Sequence, residues 1–249
     1  MSKYPKDKEN NIKILNDTMN IVHKLYKPVC NGIRYNGMIN DYIVTNRFDK
    51  EVEISVKNTN CIDECISLSN VSSTNSIMLL NMASEFCPGG GVRKGSTAQE
   101  EVICRSTSLL PTIAFHKYPL SPSECIYSPK VFIVKNGLYQ NIPHIPISVC
   151  SMAALRKPQL NNGKYYSSDK NLMRNKIKML LQTAHYHQQT TLVLGAWGCG
   201  VFSNPESEVA KLFQEELIPY KFAFDKVIFA ILEFDPDEPL NTAFKKVFE

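Results

Sequence analysis

The chain has 249 residues, of which 43% are hydrophobic and 21% are charged, and its formal net charge is +4. These values are typical of a globular protein and exclude a disordered chain, a collagen-like chain and a simple coiled coil. The sequence has no apolar run that could span a membrane, no apolar segment typical of a secretion signal near Met1, and too little positive charge to indicate direct DNA binding. We expect an intracellular protein, cytoplasmic or nuclear, that does not act at a membrane.

Apolar residues recur along the chain with the spacing of helices and strands. After a charged segment at 1–10, which we expect to be a flexible tail, the spacing predicts a helix over 11–26, strands over 42–47 and 51–56, a short helix over 61–71 and a buried strand over 76–81. The remainder predicts a helix over 99–110, strands over 131–134 and 145–149, a helix over 170–186, a strand over 191–194, a helix over 205–217 and a strand over 224–233. This alternation indicates a layered α/β fold with a mostly parallel or mixed sheet. Since no linker or repeat interrupts it, we expect a single domain over 11–249.

The eight cysteines are expected to be reduced. A chain of this length can build its core without disulfides, although the even count also fits a disulfide framework. Cys61 and Cys65 form the only close pair in the sequence, and a structural zinc ion needs about four clustered ligands. We therefore predict no metal site.

A first glycine-rich loop follows the strand predicted over 76–81. It contains Gly89, Gly90 and Gly91, which let the backbone approach a ligand closely, and it leads into a helix that begins near Gln99. Successive N–H groups of such a loop can hold a phosphate, and the start of a helix also favours anions. The alternative is a flexible loop followed by acidic residues that only cap the helix. The loop matches neither a nucleoside-triphosphate loop nor a dinucleotide fingerprint.

Two adjacent glutamates, Glu100 and Glu101, stand at the start of that helix. A bound diphosphate nearby would raise the pKa of one carboxyl and keep it protonated near neutral pH. A protonated carboxyl can act as the general acid in glycoside cleavage, which passes through an oxocarbenium-like state. Because adjacent helical residues point in different directions, one glutamate can act as the acid while the other positions a sugar hydroxyl.

A second glycine loop follows the next-to-last predicted strand. It contains Gly195, Gly198 and Gly200, and then Phe202 before the next predicted helix. The loop fits a second phosphate site in which Phe202 packs against a base or a ribose. It fits equally well a tight strand-to-helix turn with Trp197 and Phe202 in the core. Ligands of such folds bind beyond the carboxyl ends of the strands, so we expect both glycine loops at one edge of the sheet.

Together these residues resemble a known enzyme family. The triple glycine, a spacer of seven residues and Gln-Glu-Glu at 99–101 are similar to the signature of poly(ADP-ribose) glycohydrolases, and Gly-Ala-Trp-Gly-Cys-Gly-Val-Phe at 195–202 resembles their second glycine loop. The stretches 104–109 and 126–131 are similar to the short microbial-type branch. The resemblance covers essentially the whole chain. It implies a macrodomain-like three-layer α/β/α fold with a mixed, mostly parallel central sheet, an N-terminal helical extension, and a cleft for ADP-ribose at the strand ends.

The resemblance also implies roles for individual residues. Glu101 would be the catalytic acid and then the base that activates water, and Glu100 would hydrogen-bond a ribose hydroxyl. Gln99 would brace the loop, and Asn81 would lie near the terminal ribose. The glycine loops would contact the diphosphate, Phe202 would pack along the substrate, and Phe229 would lie near the adenine. The binding set implied by the resemblance is Gly89, Gly90, Gly91, Gly198, Cys199, Gly200, Val201, Phe202 and Phe229.

The resulting hypothesis is an enzyme that hydrolyses the ribose–ribose O-glycosidic bonds of poly(ADP-ribose) from the chain terminus and releases ADP-ribose. It would act as a monomer on poly(ADP-ribose) or on ADP-ribosylated proteins, without a cofactor or a metal ion. Three alternatives stay open: a module that binds ADP-ribose without cleaving it, a hydrolase that removes mono-ADP-ribose from an acceptor, and an unrelated nucleotide-dependent α/β protein. Two departures from the family pattern are Ser84, where the longer animal enzymes carry asparagine, and the lack of a clear counterpart to their tyrosine-bearing clasp loop.

Overall fold

The computed structural model describes residues 7–25, 32–71, 76–233 and 242–249. Its helices are α1 (Lys8–Leu25), α2 (Cys61–Val71), α3 (Gln99–Ser106), α4 (Leu109–Ala114), α5 (Ser167–Tyr186), α6 (Glu206–Leu217) and α7 (Thr242–Phe248). Its strands are β1 (Ile33–Asn36), β2 (Glu53–Lys57), β3 (Ile77–Met82), β4 (Glu124–Lys135), β5 (Asn141–Met152), β6 (Leu160–Asn161), β7 (Lys164–Tyr165), β8 (Thr191–Leu194) and β9 (Lys226–Ala230). Short 3-10 helices occupy Val92–Lys94 and Ile218–Tyr220.

Seven strands form the central sheet in the order β1-β4-β5-β3-β8-β9-β2. The strands β5, β3, β8, β9 and β2 run parallel to one another, whereas β4 is antiparallel to both β1 and β5. The strands β6 and β7 pair separately as a small hairpin. The predicted mixed, mostly parallel sheet is therefore confirmed.

Apolar side chains on the two faces of the sheet form two separate cores. Successive residues of a strand point to opposite faces, so β3 contributes Leu80 to one core and Leu79 to the other. The first core is closed by α5, α6 and α7, and the second by α1, α2, α3 and α4. The three-layer arrangement follows from these two cores, and α1 supplies the N-terminal helical extension. None of the helices in the described ranges is long and apolar enough to cross a membrane.

The predicted boundaries at the N-terminal end differ from those of the structure. The first helix begins at Lys8, so residues 8–10 belong to α1 rather than to a tail, while residues 1–6 lie outside the described part of the chain. The strand predicted over 42–47 does not join the sheet. There the Tyr42 hydroxyl hydrogen-bonds the imidazole of His185, and the Arg47 N–H donates to the Phe222 carbonyl oxygen, so contacts with α5 and with the loop before β9 replace strand pairing.

The helix predicted over 99–110 is divided into α3 and α4 at Thr107. The backbone of Thr107 is extended, its hydroxyl donates to the carbonyl of Ile103, and the same oxygen accepts the N–H of Leu109. The sequence analysis also missed β1 and the hairpin of β6 and β7, and it located only parts of β4 and β5. The predicted single domain remains a prediction.

Candidate active site

A cleft of about 310 Å³ lies beyond the carboxyl ends of β3, β8 and β9. The start of α3 and the second glycine loop form two of its walls, and the connection from β2 to α2 forms a third. Its lining residues are Thr59, Asn60, Cys61, Met82, Thr97, Ala98, Gln99, Val102, Ala154, Ala196, Trp197, Gly198, Gly200, Val201, Phe202, Ala230, Ile231 and Leu232. The triple glycine does not line this cleft, but its N–H groups contact the first turn of α3, so both glycine loops lie at the same edge of the sheet, as the sequence predicts.

The second glycine loop is held in place by an asparagine that the sequence analysis did not select. The side-chain amide of Asn204 donates to the carbonyls of Leu155 (2.7 Å) and Gly198 (3.0 Å), and its oxygen accepts the hydroxyl of Tyr165 at 2.7 Å. Trp197 is fully buried but contributes to the cleft wall, so this turn is both a packed strand-to-helix connection and a ligand-facing loop. Trp197 lies in the core, as the packed-turn interpretation predicts, and the phosphate site remains a prediction.

Five residues expected in the binding set do not line the cleft: Gly89, Gly90 and Gly91, which lie by the first turn of α3, and Cys199 and Phe229. The N–H of Cys199 donates to the Ala196 carbonyl at 3.1 Å, its side chain is buried, and burial raises the pKa of its thiol well above the usual range. Phe229 is fully buried, and its ring packs 5.3 Å from that of Phe213 in the core closed by α6. Because residues alternate along β9, it is the next residue, Ala230, that faces the cleft.

Glu100 is anchored by three donors. Its Oε2 accepts the N–H of Ser84 at 2.7 Å, and its Oε1 accepts the N–H of Gly89 at 3.1 Å and the amide of Asn81 at 3.4 Å. Burial raises the pKa of Glu100 to about 8, and the neighbouring charge of Glu101 acts in the same direction, whereas the hydrogen bonds lower it. The raised pKa predicted for one carboxyl of the pair thus belongs to Glu100, and it arises without a diphosphate.

Glu101 is held at only one of its two carboxylate oxygens. Its Oε1 accepts the N–H of Gly91 at 2.8 Å. Its Oε2 is buried and has no hydrogen-bond partner among the residues that the structure describes. The two glutamates therefore differ: both carboxylate oxygens of Glu100 are hydrogen-bonded, whereas one oxygen of Glu101 has no partner among the described residues.

The triple glycine orients these carboxylates rather than forming the expected phosphate cradle. The N–H groups of Gly89 and Gly91 donate to the two glutamates, and that of Gly90 donates to the carbonyl of Cys87 at 3.2 Å. All three N–H groups are thus occupied within the protein. The physical reason is proximity, because the loop returns directly over the first turn of α3, whose carboxylates are the nearest strong acceptors.

Gln99 and Asn81 connect the start of α3, which carries the two glutamates, to the sheet. The amide of Gln99 donates to the carbonyl of Leu80 at 2.7 Å, and its oxygen accepts the N–H of Met82 at 2.9 Å, so it braces the end of β3 rather than the loop. Asn81 is fully buried and donates to the hydroxyl of Ser151 at 3.0 Å, a residue that the sequence analysis missed. Its Oδ1 is buried and has no partner among the described residues.

Replacement of Gly90 by alanine is expected to reduce the activity of this site strongly. Gly90 has a φ of +54°, and a Cβ atom there would lie 2.7 Å from Oε1 of Glu101 and 2.9 Å from Oε2 of Glu100. The added methyl group displaces both carboxylates, and displacements of this size reduce turnover on the order of 100-fold. The measurement is the rate of substrate cleavage by wild type and Gly90→Ala.

The matched control is Gly163→Ala. Gly163 has a φ of +73°, and no atom lies within 4 Å of the position that a Cβ atom would take there. This variant therefore shares the backbone strain, roughly 1–2 kcal/mol, without the collision. Equal activity of Gly90→Ala and Gly163→Ala would show that the carboxylates tolerate the methyl group.

Several residues that shape the site carry only weak signals in the sequence. Ser84 acts through its backbone N–H, which no side-chain pattern reveals, and Asn204 is a single polar residue in a turn. Arg156 follows β5 at the same edge of the sheet, and the rule that ligands bind beyond strand ends would have selected it. In the described parts of the chain, no group of three or more histidine, cysteine, aspartate or glutamate side chains is placed to hold a metal ion.

A three-layer α/β fold with a cleft at the strand ends and a buried glutamate pair beside it defines a macrodomain-like glycosidase. Residues 2–136 match the model of the family described as microbial-type PARG, catalytic domain, where PARG denotes poly(ADP-ribose) glycohydrolase. The chain therefore belongs to the family of microbial-type poly(ADP-ribose) glycohydrolase catalytic domains. It is a hydrolase of the glycosidase class, as the sequence predicts.

Several solved structures share this fold. The poly(ADP-ribose) glycohydrolase of Thermomonospora curvata is 24% identical, with a TM-score of 0.82 over 96% of this chain and 100% of its own. The same enzyme bound to the inhibitor ADP-HPD matches with a TM-score of 0.80 over 96% and 99% of the two chains, again at 24% identity. The enzyme of Deinococcus radiodurans in complex with ADP-ribose is 25% identical, with a TM-score of 0.70 over 98% of this chain and 91% of its own. No curated protein matches the chain.

Proposed function

We propose that the protein hydrolyses the ribose–ribose O-glycosidic bond at the terminus of poly(ADP-ribose) and releases ADP-ribose, with Glu101 as the catalytic acid and base. The observation that carries this assignment of roles is the asymmetry of the glutamate pair. Glu100 is fixed by three donors, whereas Oε2 of Glu101 has no partner among the described residues. Proton transfer requires a carboxyl oxygen that is not already committed to the protein, and Glu101 has one.

In the proposed reaction, Glu101 protonates the oxygen of the leaving ribose while the bond from that oxygen to the anomeric carbon breaks. The resulting oxocarbenium-like centre is stabilised by the negative charge that Glu101 acquires. Glu101 then takes a proton from a water molecule, whose oxygen bonds to the anomeric carbon, and the acid is restored. No cofactor or metal ion takes part in these steps.

The roles of the other residues follow from their places in the site. Glu100 and Asn81 would bind hydroxyl groups of the terminal ribose, because both are buried beside Glu101 and Asn81 retains an oxygen without a partner in the described chain. Gly198, Gly200 and Val201 would contact the diphosphate, and Phe202 would lie along the substrate, since all four line the cleft. The adenosine would occupy the end of the cleft near Ile231 and Leu232 rather than contact Phe229.

The test is incubation of the protein with automodified poly(ADP-ribose) and chromatographic detection of the products. The expected result is release of free ADP-ribose from wild type and release about 10³-fold slower from Glu101→Gln. Binding of ADP-ribose without release by wild type would instead identify a binding module. Cleavage only of substrates that carry mono-ADP-ribose would identify a hydrolase of a different specificity.

The protein is further proposed to act as a monomer inside the cell, in the cytoplasm or the nucleus, on ADP-ribosylated proteins. The support is chemical: seven cysteines are free thiols in the structure, and free thiols persist in reducing compartments. Light scattering of the purified protein would test the oligomeric state, and fluorescence imaging of a tagged chain would test the location.

A further inference from the structure

Arg156 lies between the two glycine loops, just beyond the carboxyl end of β5. Its guanidinium makes a bidentate ion pair with Glu85, with Nε 2.5 Å from Oε1 and Nη2 2.7 Å from Oε2. Two parallel hydrogen bonds of this kind restrain orientation as well as distance. Glu85 directly follows Ser84, whose N–H holds Glu100, so the ion pair restrains the segment that positions the anchored carboxyl.

The same guanidinium packs on aromatic rings from both loops. Its central carbon lies 4.0 Å from the ring centroid of Phe202 and 5.1 Å from that of Phe86. Phe202 lines the cleft, whereas Phe86 is 63% exposed. A planar cation on one face of Phe202 restrains the ring and leaves its other surface for a ligand.

The backbone on either side of Arg156 is bound to the second loop. The N–H of Lys157 donates to the carbonyl of Phe202 at 2.8 Å, and the carbonyl of Leu155 accepts the amide of Asn204 at 2.7 Å. The backbone of this segment therefore fixes the second glycine loop, while its central side chain fixes the first. Arg156 is the point at which the two connections meet.

We propose that Arg156 is a positioning residue that fixes the two walls of the cleft relative to each other. It acts on the substrate through Phe202 and on the glutamate pair through Glu85. The proposal rests on the function proposed above. Loss of Arg156 releases the ring of Phe202 and the segment that contains Ser84. The consequence is weaker binding of ADP-ribose together with slower cleavage.

The test compares Arg156→Ala and Arg156→Lys with Arg34→Ala. Arg34 makes an equivalent bidentate pair with Glu124, at 2.9 and 2.6 Å, between β1 and β4 and away from the cleft. Calorimetry gives the affinity for ADP-ribose, polymer cleavage gives kcat and KM, and urea unfolding gives the stability. Arg156→Ala is expected to weaken ADP-ribose binding about tenfold and to lower kcat, whereas Arg34→Ala alters stability alone.

Two further readouts separate positioning from a purely structural effect. Lysine is expected not to restore binding, because an ammonium can neither pair bidentately nor lie flat on a ring, whereas millimolar methylguanidine is expected to restore part of the activity of Arg156→Ala. The effects of Arg156→Ala and Phe202→Leu on the affinity for ADP-ribose are expected not to add in the double variant. The proposal is overturned if Arg156→Ala behaves like Arg34→Ala, if its effect adds fully to that of Phe202→Leu, or if lysine substitutes fully.

The affinity measurements also keep this proposal separate from the proposed activity. Failure of wild type to release ADP-ribose from the polymer contradicts the activity but leaves ADP-ribose binding as a valid test of Arg156. Normal cleavage by wild type together with unchanged binding and cleavage by Arg156→Ala contradicts only the role of Arg156.

Discussion

Glu101→Gln is expected to lower kcat for the release of ADP-ribose by about 10³-fold, within the range that general acid–base catalysis contributes. Glutamine has nearly the same shape and can still accept the N–H of Gly91 through its amide oxygen. It cannot donate a proton to the leaving ribose oxygen and then recover one from water. The glycine loops and the cleft remain intact, so the affinity for ADP-ribose is expected to change little.

The measurement is single-turnover cleavage of labelled polymer, combined with calorimetry of ADP-ribose binding. Glu9→Gln on the exposed face of α1 serves as the control and is expected to match wild type in both. Cleavage at the wild-type rate by Glu101→Gln contradicts the mechanism. Loss of both cleavage and ADP-ribose binding would show that Glu101 holds the ligand rather than transferring a proton.

The free energy of unfolding of Glu100→Gln, relative to that of wild type, is expected to increase with pH. Burial raises the pKa of Glu100 from 4.5 to about 8 in the folded protein. Below pH 4.5 the carboxyl is protonated in both the folded and the unfolded state, so it causes no pH-dependent loss of folding stability. Between pH 4.5 and 8 the unfolded chain releases the proton while the folded protein retains it, and folding stability falls as the pH rises. Above pH 8 both states are ionised and the loss is complete.

The free energy of unfolding of wild type is expected to fall by about 3–5 kcal/mol between pH 4.5 and pH 8, since each unit of pKa difference corresponds to roughly 1.4 kcal/mol. Glutamine keeps one acceptor oxygen, for the N–H of either Ser84 or Gly89, and carries no charge at any pH. Urea unfolding of both proteins at pH 5, 6.5 and 8.5 measures the difference at each pH. A difference in unfolding free energy that is constant across this range contradicts a neutral Glu100 in the fold.

A raised pKa also suits the position of Glu100 beside a second carboxyl. With Glu100 neutral near pH 7, the pair carries less negative charge and the desolvation cost of the buried site is smaller. A protonated Glu100 can also donate a hydrogen bond to a ribose hydroxyl, which a carboxylate cannot do. A neutral Glu100 therefore fits the binding role proposed for it.

The sequence alone was sufficient to select the candidate site. The triple glycine followed by Gln-Glu-Glu and the second glycine loop are local patterns, and each follows a strand of strong apolar character. Because parallel strands end at one edge of a sheet, the order of the elements already predicts that the two loops meet there. The alternation of strands and helices likewise predicts the mixed, mostly parallel sheet.

Weak local signals explain the missed elements. The strand β1 has only four residues and joins the sheet by antiparallel pairing with β4, which lies about 90 residues further along the chain. The segment 42–47 has the apolar character of a strand, but tertiary hydrogen bonds with α5 and with the loop before β9 take the place of a neighbouring strand. Propensity describes a segment by itself, and the tertiary partners decide its final state.

What the sequence by itself determined is the fold class, the edge of the sheet that carries the site and the pair of glutamates. Only the tertiary structure decided which groups each of these residues contacts. The N–H groups of Gly89 and Gly91 bind the glutamates, and Phe229 points into the core while Ala230 faces the cleft. The bridge from Arg156 to Glu85 joins residues 71 positions apart. Hydrogen bonds, burial and pKa shifts depend on distances between atoms that are remote in the chain, and local sequence patterns do not encode those distances.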